Sequence, residues 1–305
     1  MRLAGQVTLV TGGNSGVGRA TALRVAAEGA RVAITGRDAG KGARVLAQLR
    51  PAGADAEFIA ADLGIESEAA GLVATVTRRF GGLRVVVNNA GAGARRSPVR
   101  AEDGPAQQLA KVLAASFAAA YHVSAHALPV PAAGGGGAIV NISSTAALHG
   151  TWGNYGIAKA AVESLTPALA AQGAPQRIRV NGVSPGRIAN EVAASHDEVD
   201  RAASLFARMG TPDEIARAVV FLASAEASVV TGQTLNVDSG LTITDYPSQP
   251  WLAAVGAWRQ LPHLQRKWPA RAAAGAPLRS SPEPGRSRRR DTRRCRSRSP
   301  CSTRS

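Results

Sequence analysis

Cysteine is almost missing from this chain of 305 residues. The two present, Cys295 and Cys301, lie close to its C-terminal end, so the first 246 residues have no thiol for a disulfide or a zinc site. That pattern points to a reducing compartment. Long apolar runs are missing as well: none approaches the ~18 consecutive residues that a membrane-spanning helix needs. The opening MRLAGQVTLV has one charge and a short apolar run that leads straight into glycines. It lacks the apolar core and cleavage site of a secretory signal. A cytoplasmic, non-membrane protein is expected. His122, His126, His149, His196 and His263 show no metal-ligand spacing with acids or thiols, so no metal site is expected.

Acidic residues are scarce in one region only. The formal net charge is +15, but the stretch from Arg259 to Ser305 has 14 Lys or Arg against Glu283 and Asp291, which leaves the rest of the chain nearly balanced. Residues 269–305 are rich in Arg, Ser, Pro and Ala and show no apolar periodicity; they read as a disordered basic tail. The tail has charge but no interleaved aromatics beyond Trp268 and no folded motif that could read bases, so a nucleic-acid partner is not expected. Residues 247–268 read as a connecting segment, either a short helix with exposed tryptophans or an ordered start to the tail, and residues 1–246 as the folded domain.

What is present, with 45% apolar residues, is enough for a substantial core. Short β-branched runs alternate with longer Ala-rich helical stretches. The strands are read at 7–10, 31–35, 56–61, 84–89, 138–143, 178–184 and 234–238. Between them come helices near 17–28, 40–50, 66–80, 104–128, 154–172 and 212–224. Gly29 stops the first helix, and Thr211-Pro212 starts the last as N-cap and first-turn proline. This alternation predicts one doubly wound α/β domain with a seven-stranded parallel sheet.

The first strand runs into TGGNSGVG, residues 11–18, which opens a helix. Unpaired N–H groups and the positive helix end make such a turn a site for a pyrophosphate. The glycine run at 134–137 precedes a strand and has no helix at its exit, so it reads as a loop. Tyr155 and Lys159 are four apart, on one helix face. An ammonium beside a phenol favours the phenolate, which suits Tyr155 to acid or base work on a carbonyl or alcohol. Ser144, at a strand end, is placed to hydrogen-bond a substrate oxygen where charge develops.

The order T-G-x-x-x-G-x-G, then NNAG at 88–91, Ser144, Tyr155-x-x-x-Lys159 and Pro185-Gly186 resembles the short-chain dehydrogenase/reductase family from about residue 3 to 244. The resemblance implies a Rossmann-type fold, hydride transfer between nicotinamide and a carbonyl or alcohol, and a homo-oligomer. It also implies a cofactor site of Thr11, Gly12, Asn14, Ser15, Gly16, Val17, Gly18, Arg37, Asp62, Leu63, Asn89, Ala90, Gly91, Tyr155, Lys159, Pro185, Gly186 and Ile188. Lys159 would hold the cofactor ribose. Gly36 stands where an NAD-binding carboxylate is usual and Arg37 follows, which fits a 2′-phosphate and so NADP(H), with NAD(H) possible. Asp38 is placed to pair with Arg37 and blunt that preference.

Four departures qualify the resemblance. Ser116 stands where many members have an asparagine whose carbonyl holds a water linked to the lysine. The loop from Ser144 to Tyr155 is short, which leaves Ser143 and Thr145 as alternative substrate-facing oxygens. Pro167 falls inside the Tyr155 helix, where a kink is expected. Asn190 replaces a threonine that commonly meets the nicotinamide amide. Ser116, the short loop and Pro167 motivate an alternative reading, a cofactor-binding module with little or no catalysis. The substrate-selecting segment 187–210 has few aromatics and does not name a substrate.

Overall fold

The computed structural model describes residues 1–50, 53–91, 97–130, 135–189, 205–206 and 208–243. The connecting segment, the basic tail, Asn190 and most of the segment 187–210 lie outside these residues. Seven strands, β1 (Val7–Thr11), β2 (Arg31–Gly36), β3 (Ala56–Ala60), β4 (Val85–Asn88), β5 (Gly137–Ile142), β6 (Ile178–Pro185) and β7 (Thr234–Val237), pair in the order β3-β2-β1-β4-β5-β6-β7. Every pairing is parallel. The β-branched runs at the centre of the sheet, such as VTLVT and VVVN, are buried on both faces, as parallel strands covered by helices require.

The helices are α1 (Gly16–Ala27), α2 (Ala39–Leu49), α3 (Glu66–Phe80), α4 (Pro105–Leu113), α5 (Ala119–Ala127), α6 (Gly153–Gly173) and α7 (Pro212–Ala223). Two apolar clusters flank the sheet. One gathers Val25 of α1, Val45 of α2 and Ile215 and Val219 of α7 against Val10 and Ile34. The other gathers Leu72 and Val76 of α3, Val123 of α5 and Leu169 of α6 against Leu9 and Ile139. Gly29 ends α1 at φ +85°, and Thr211 caps α7 in a reciprocal capping box with Glu214. Among the described residues no helix is long and apolar enough to cross a membrane.

One helical region differs from the sequence reading. The single helix expected over 104–128 is interrupted by a π-helical turn at Ala114–Ala118, where the Ala119 N–H reaches back to the Ala114 carbonyl. The helix α6 runs continuously through Pro167. Thr166 next to it turns its hydroxyl back to the Val162 carbonyl at 3.1 Å, and the proline ring lies on the exposed side.

The order of strands reverses between β1 and β4. Chain leaving the C-terminal ends of these two strands diverges to opposite sides, and the crevice so formed is where open α/β sheets bind ligands.

Candidate active site

The crevice is lined first by the glycine turn. Gly12 and Gly16 have φ of +62° and +52°, a left-handed backbone that favours glycine. A Cβ on Gly12 would stand 2.9 Å from Asn89 Nδ2, and one on Gly18 would press into the Gly12 carbonyl and the same amide. The turn is therefore packed directly against the end of β4. Thr11 fastens it there: its hydroxyl donates to the Val87 carbonyl and accepts from the N–H groups of Asn89 and Ala90, both at 2.9 Å. Asn89 replies by donating to the carbonyls of Thr11 and Gly12 at 3.0 and 3.2 Å. Ser15 precedes α1 without a side-chain cap, and the first turn contains no acid. Uncapped N–H groups and the positive helix end are what a pyrophosphate needs, so these residues fit a dinucleotide. Val17 packs inward on the core.

At the end of β2, Gly36 lies under Asn14: a Cβ there would come within 2.7 Å of the Asn14 amide carbon. Arg37 is 78% exposed, and its guanidinium is 3.9 Å from Asp62, at the edge of ion-pair range. Asp38 does not pair with Arg37. Its carboxylate caps α2 by accepting from the Lys41 N–H at 2.9 Å and lies 3.7 Å from the Lys41 ammonium, and that N–H holds its pKa below the usual carboxylate range. An Asp directly before a helix reaches the third N–H as a matter of local geometry, and this use prevails over pairing with its neighbour. Asp62 accepts from the Gly64 N–H at 3.1 Å and remains half exposed, whereas the Leu63 side chain is buried in the core between the sheet and α3.

Tyr155 and Lys159 emerge from the first two turns of α6. The shortened loop before them takes a tight path of two 3-10 turns, Thr145–Leu148 and Gly150–Trp152. It still brings Ser144 near Tyr155, with the Ser144 hydroxyl accepting from the Ala146 N–H at 3.2 Å. Ser143 is committed elsewhere, since it donates to the Lys159 carbonyl at 3.1 Å, and Thr145 is buried. Burial pushes the Tyr155 phenol above its ordinary pKa, and the neighbouring Ser144 hydroxyl opposes this. The Lys159 ammonium does not reach the phenol oxygen: it donates to the Ile142 carbonyl at 2.8 Å and lies 5.9 Å from the centre of the Tyr155 ring. Burial lowers its pKa to about 8, with the Glu163 carboxylate acting in the other direction.

The two halves of the crevice meet at Gly91. A Cβ there would lie 3.4 Å from Ser116 Oγ and 3.6 Å from Lys159 Nζ. Ser116 is in the π turn, is 1% exposed, and its hydroxyl has no hydrogen-bond partner among the described residues. A buried, unpaired hydroxyl costs about 1–3 kcal/mol, and its position beside the ammonium gives it a ligand to find there. On the far side, Pro185 closes β6 opposite Val237, and a Cβ on Gly186 would collide with Asp238. Ile188 bridges to Gly210 and packs on the core.

Two side chains near Tyr155 escaped the sequence reading. The Trp152 ring meets Tyr155 edge-on with centroids 6.2 Å apart, and the Arg187 guanidinium lies 5.0 Å over the Trp152 ring. The signal was a tryptophan three residues before the tyrosine, one helical turn away.

A parallel sheet whose strand order reverses between β1 and β4, with a glycine turn opening a helix in that crevice, defines a dinucleotide-binding α/β protein. Residues 12–242 match the family model described as enoyl-(acyl carrier protein) reductase. An uncharacterised oxidoreductase of Mycobacterium tuberculosis is 39% identical over 79% of this chain and 94% of its own length. The 3-oxoacyl-(acyl-carrier-protein) reductase of Thermotoga maritima is 34% identical over 80% of this chain and all of its own. Among solved structures, a 7α-hydroxysteroid dehydrogenase in complex with NADH and 7-oxo glycochenodeoxycholic acid superposes with a TM-score of 0.71. Its identity is 30%, covering 78% of this chain and 95% of that one. The chain belongs to the short-chain dehydrogenase/reductase family. It is an oxidoreductase of the NAD(P)(H)-dependent, hydride-transferring kind that acts on small molecules.

Proposed function

We propose that the protein interconverts a carbonyl and an alcohol, with Tyr155 as the proton-transferring group and NADP(H) as the preferred cofactor. The observation that carries this reading is the placement of Tyr155 with a buried Lys159 on one face of α6, the ammonium held by the Ile142 carbonyl at 2.8 Å and lying 5.9 Å from the centre of the phenol ring. When bound, the cofactor supplies or accepts the hydride. Tyr155 donates a proton to the carbonyl oxygen in reduction and withdraws one from the hydroxyl in oxidation. Ser144 holds the same oxygen and stabilises charge as it develops. Lys159 contributes positive charge beneath the phenol ring and, with Ser116, forms the ribose-facing floor of the crevice. The glycine turn with Ser15 receives the pyrophosphate, and Asp62 flanks the adenine. Asn89, Ala90 and Gly91 line the crevice from the β4 side, and Pro185, Gly186 and Ile188 from the β6 side.

The preference for NADP(H) rests on Gly36 and Arg37. No carboxylate at position 36 is present to bind a 2′-hydroxyl, Asp38 is occupied at the α2 N-terminus, and Arg37 is exposed. A guanidinium suits a 2′-phosphate. The functional unit is a cytoplasmic homo-oligomer, with residues 1–246 as the catalytic domain.

Fluorescence titration of the full-length protein with NADPH and NADH tests the cofactor assignment. NADPH should bind more tightly, and Arg37→Ala should remove most of the difference. A carbonyl panel tests the chemistry: Tyr155→Phe should lower kcat by about 10²–10⁴-fold with cofactor affinity retained. Activity indifferent to Tyr155→Phe, or none despite tight cofactor binding, would favour the binding-module reading.

A further inference from the structure

Lys159 poses an electrostatic problem that its hydrogen bonds do not solve. It is 5% exposed and donates to one acceptor, the Ile142 carbonyl, and among the described residues it has no ion pair within 4.0 Å. An isolated buried ammonium loses its proton unless negative charge is close. The groups facing it can be named element by element. From the end of β4 comes Gly91, from the π turn the Ser116 hydroxyl, and from β5 the Ile142 carbonyl, none of them charged. From its own helix come the Tyr155 ring and, one turn further on, Glu163.

Glu163 is held in place from the neighbouring strand. Its Oε1 accepts from the Ser184 hydroxyl at 3.1 Å, and Ser184 is fully buried in β6. Ile142 pairs with Val183, the residue before Ser184. The lysine and the glutamate thus reach from adjacent turns of α6 to the ends of adjacent strands, and the carboxylate is tethered on the strand next to the one that receives the ammonium. We propose that Glu163, oriented by Ser184, is the positioning residue that keeps Lys159 charged, and so sets the alkaline limit of the active site. Its place in the reaction rests on the reading of Tyr155 and Lys159 given above, but its effect on Lys159 does not.

The chain has four lysines, Lys41, Lys111, Lys159 and Lys267, so a titration of 13Cε-labelled lysine by NMR resolves each one, with Lys159→Met assigning the signal. Glu163→Gln keeps the acceptor for Ser184 and removes only the charge. The Lys159 midpoint, about 8 in the parent protein, should fall by about one unit. Ser184→Ala keeps the charge and frees the carboxylate, so a smaller fall is expected. In carbonyl reduction the alkaline limb of kcat/KM should move to lower pH by the same amount in Glu163→Gln. A Lys159 midpoint unchanged in both variants overturns the proposal, and the NMR titration gives that answer without cofactor, substrate or activity. A shifted midpoint with no turnover would uphold the role of Glu163 and refute the enzymatic reading alone.

Discussion

Gly18 is the position where the structure makes its sharpest quantitative demand. It is buried in the first turn of α1, and a Cβ there would lie 2.8 Å from the Gly12 carbonyl carbon and closer still to the Gly12 oxygen and Asn89 Nδ2. Neither neighbour can yield cheaply. The carbonyl is backbone in a left-handed turn, and the Asn89 amide is held by two hydrogen bonds, to Thr11 and Gly12. Overpacking of this kind costs about 1–3 kcal/mol. Displacing Asn89 forfeits two bonds worth about 0.5–1.5 kcal/mol each. Against this, Ala gains about 1 kcal/mol over Gly in a helix. Gly18→Ala should therefore lose about 3 kcal/mol, which lowers Tm by roughly 6–12 °C in a domain of this size. Gly16 is the control: a Cβ there meets nothing within 4 Å, and the φ of +52° is its only penalty, about 1–2 kcal/mol. Thermal unfolding followed by circular dichroism, with NADPH titration of each variant, makes the comparison. If Gly18→Ala melts with the parent protein, or Gly16→Ala loses more than Gly18→Ala, the packing argument for the turn fails.

Two further outcomes follow from buried and charged groups elsewhere. Asn141 accepts from Asn88 at 2.9 Å and donates to Thr166 at 3.1 Å, and all three are buried, so Asn141→Ala should destabilise by about 2–3 kcal/mol, read as a lower urea midpoint at unchanged m. Glu28 and Glu214 are both held down to about 2, chiefly by hydrogen bonds from Arg2 and Arg208. Folded values below the unfolded ones mean stability that is complete above about 4.5 and is lost as pH falls toward 2, so Glu28→Gln and Glu214→Gln should each flatten the acid limb of a urea-midpoint profile.

The sheet was legible in the sequence because its strands are β-branched runs bounded by punctuating residues, and the order of motifs placed the crevice at the ends of the right strands. Gly29 and Thr211 mark helix ends by residue type alone, and both are where the structure ends or begins a helix. Side-chain partnerships that depend on the third dimension were harder to read. Asp38 next to Arg37 suggests a pair, but the helix it precedes takes its carboxylate first. Lys159 and Tyr155 share a helix face as their spacing requires, yet the ammonium turns to the Ile142 carbonyl, an acceptor that only the docking of α6 on β5 supplies. The π turn left no trace in VLAASFAAAY, where every residue but Ser116 and the aromatics is a small or aliphatic helix former and neither Gly nor Pro marks the irregularity.

That π turn makes the region around Ser116 tolerant of a change that would ruin a regular helix. A turn closed from residue i to i+5 contains one residue more than its α-helical equivalent, so its backbone has length in reserve. Deleting a single alanine between Ala114 and Ala118 would let the segment close as ordinary α-helix, with α3-facing Val123 and Ala127 still in register with the core. The local bulge, and with it the hydroxyl beside Lys159, would be lost while the fold survived. Folding and active-site geometry are thus separable here by one residue of chain length.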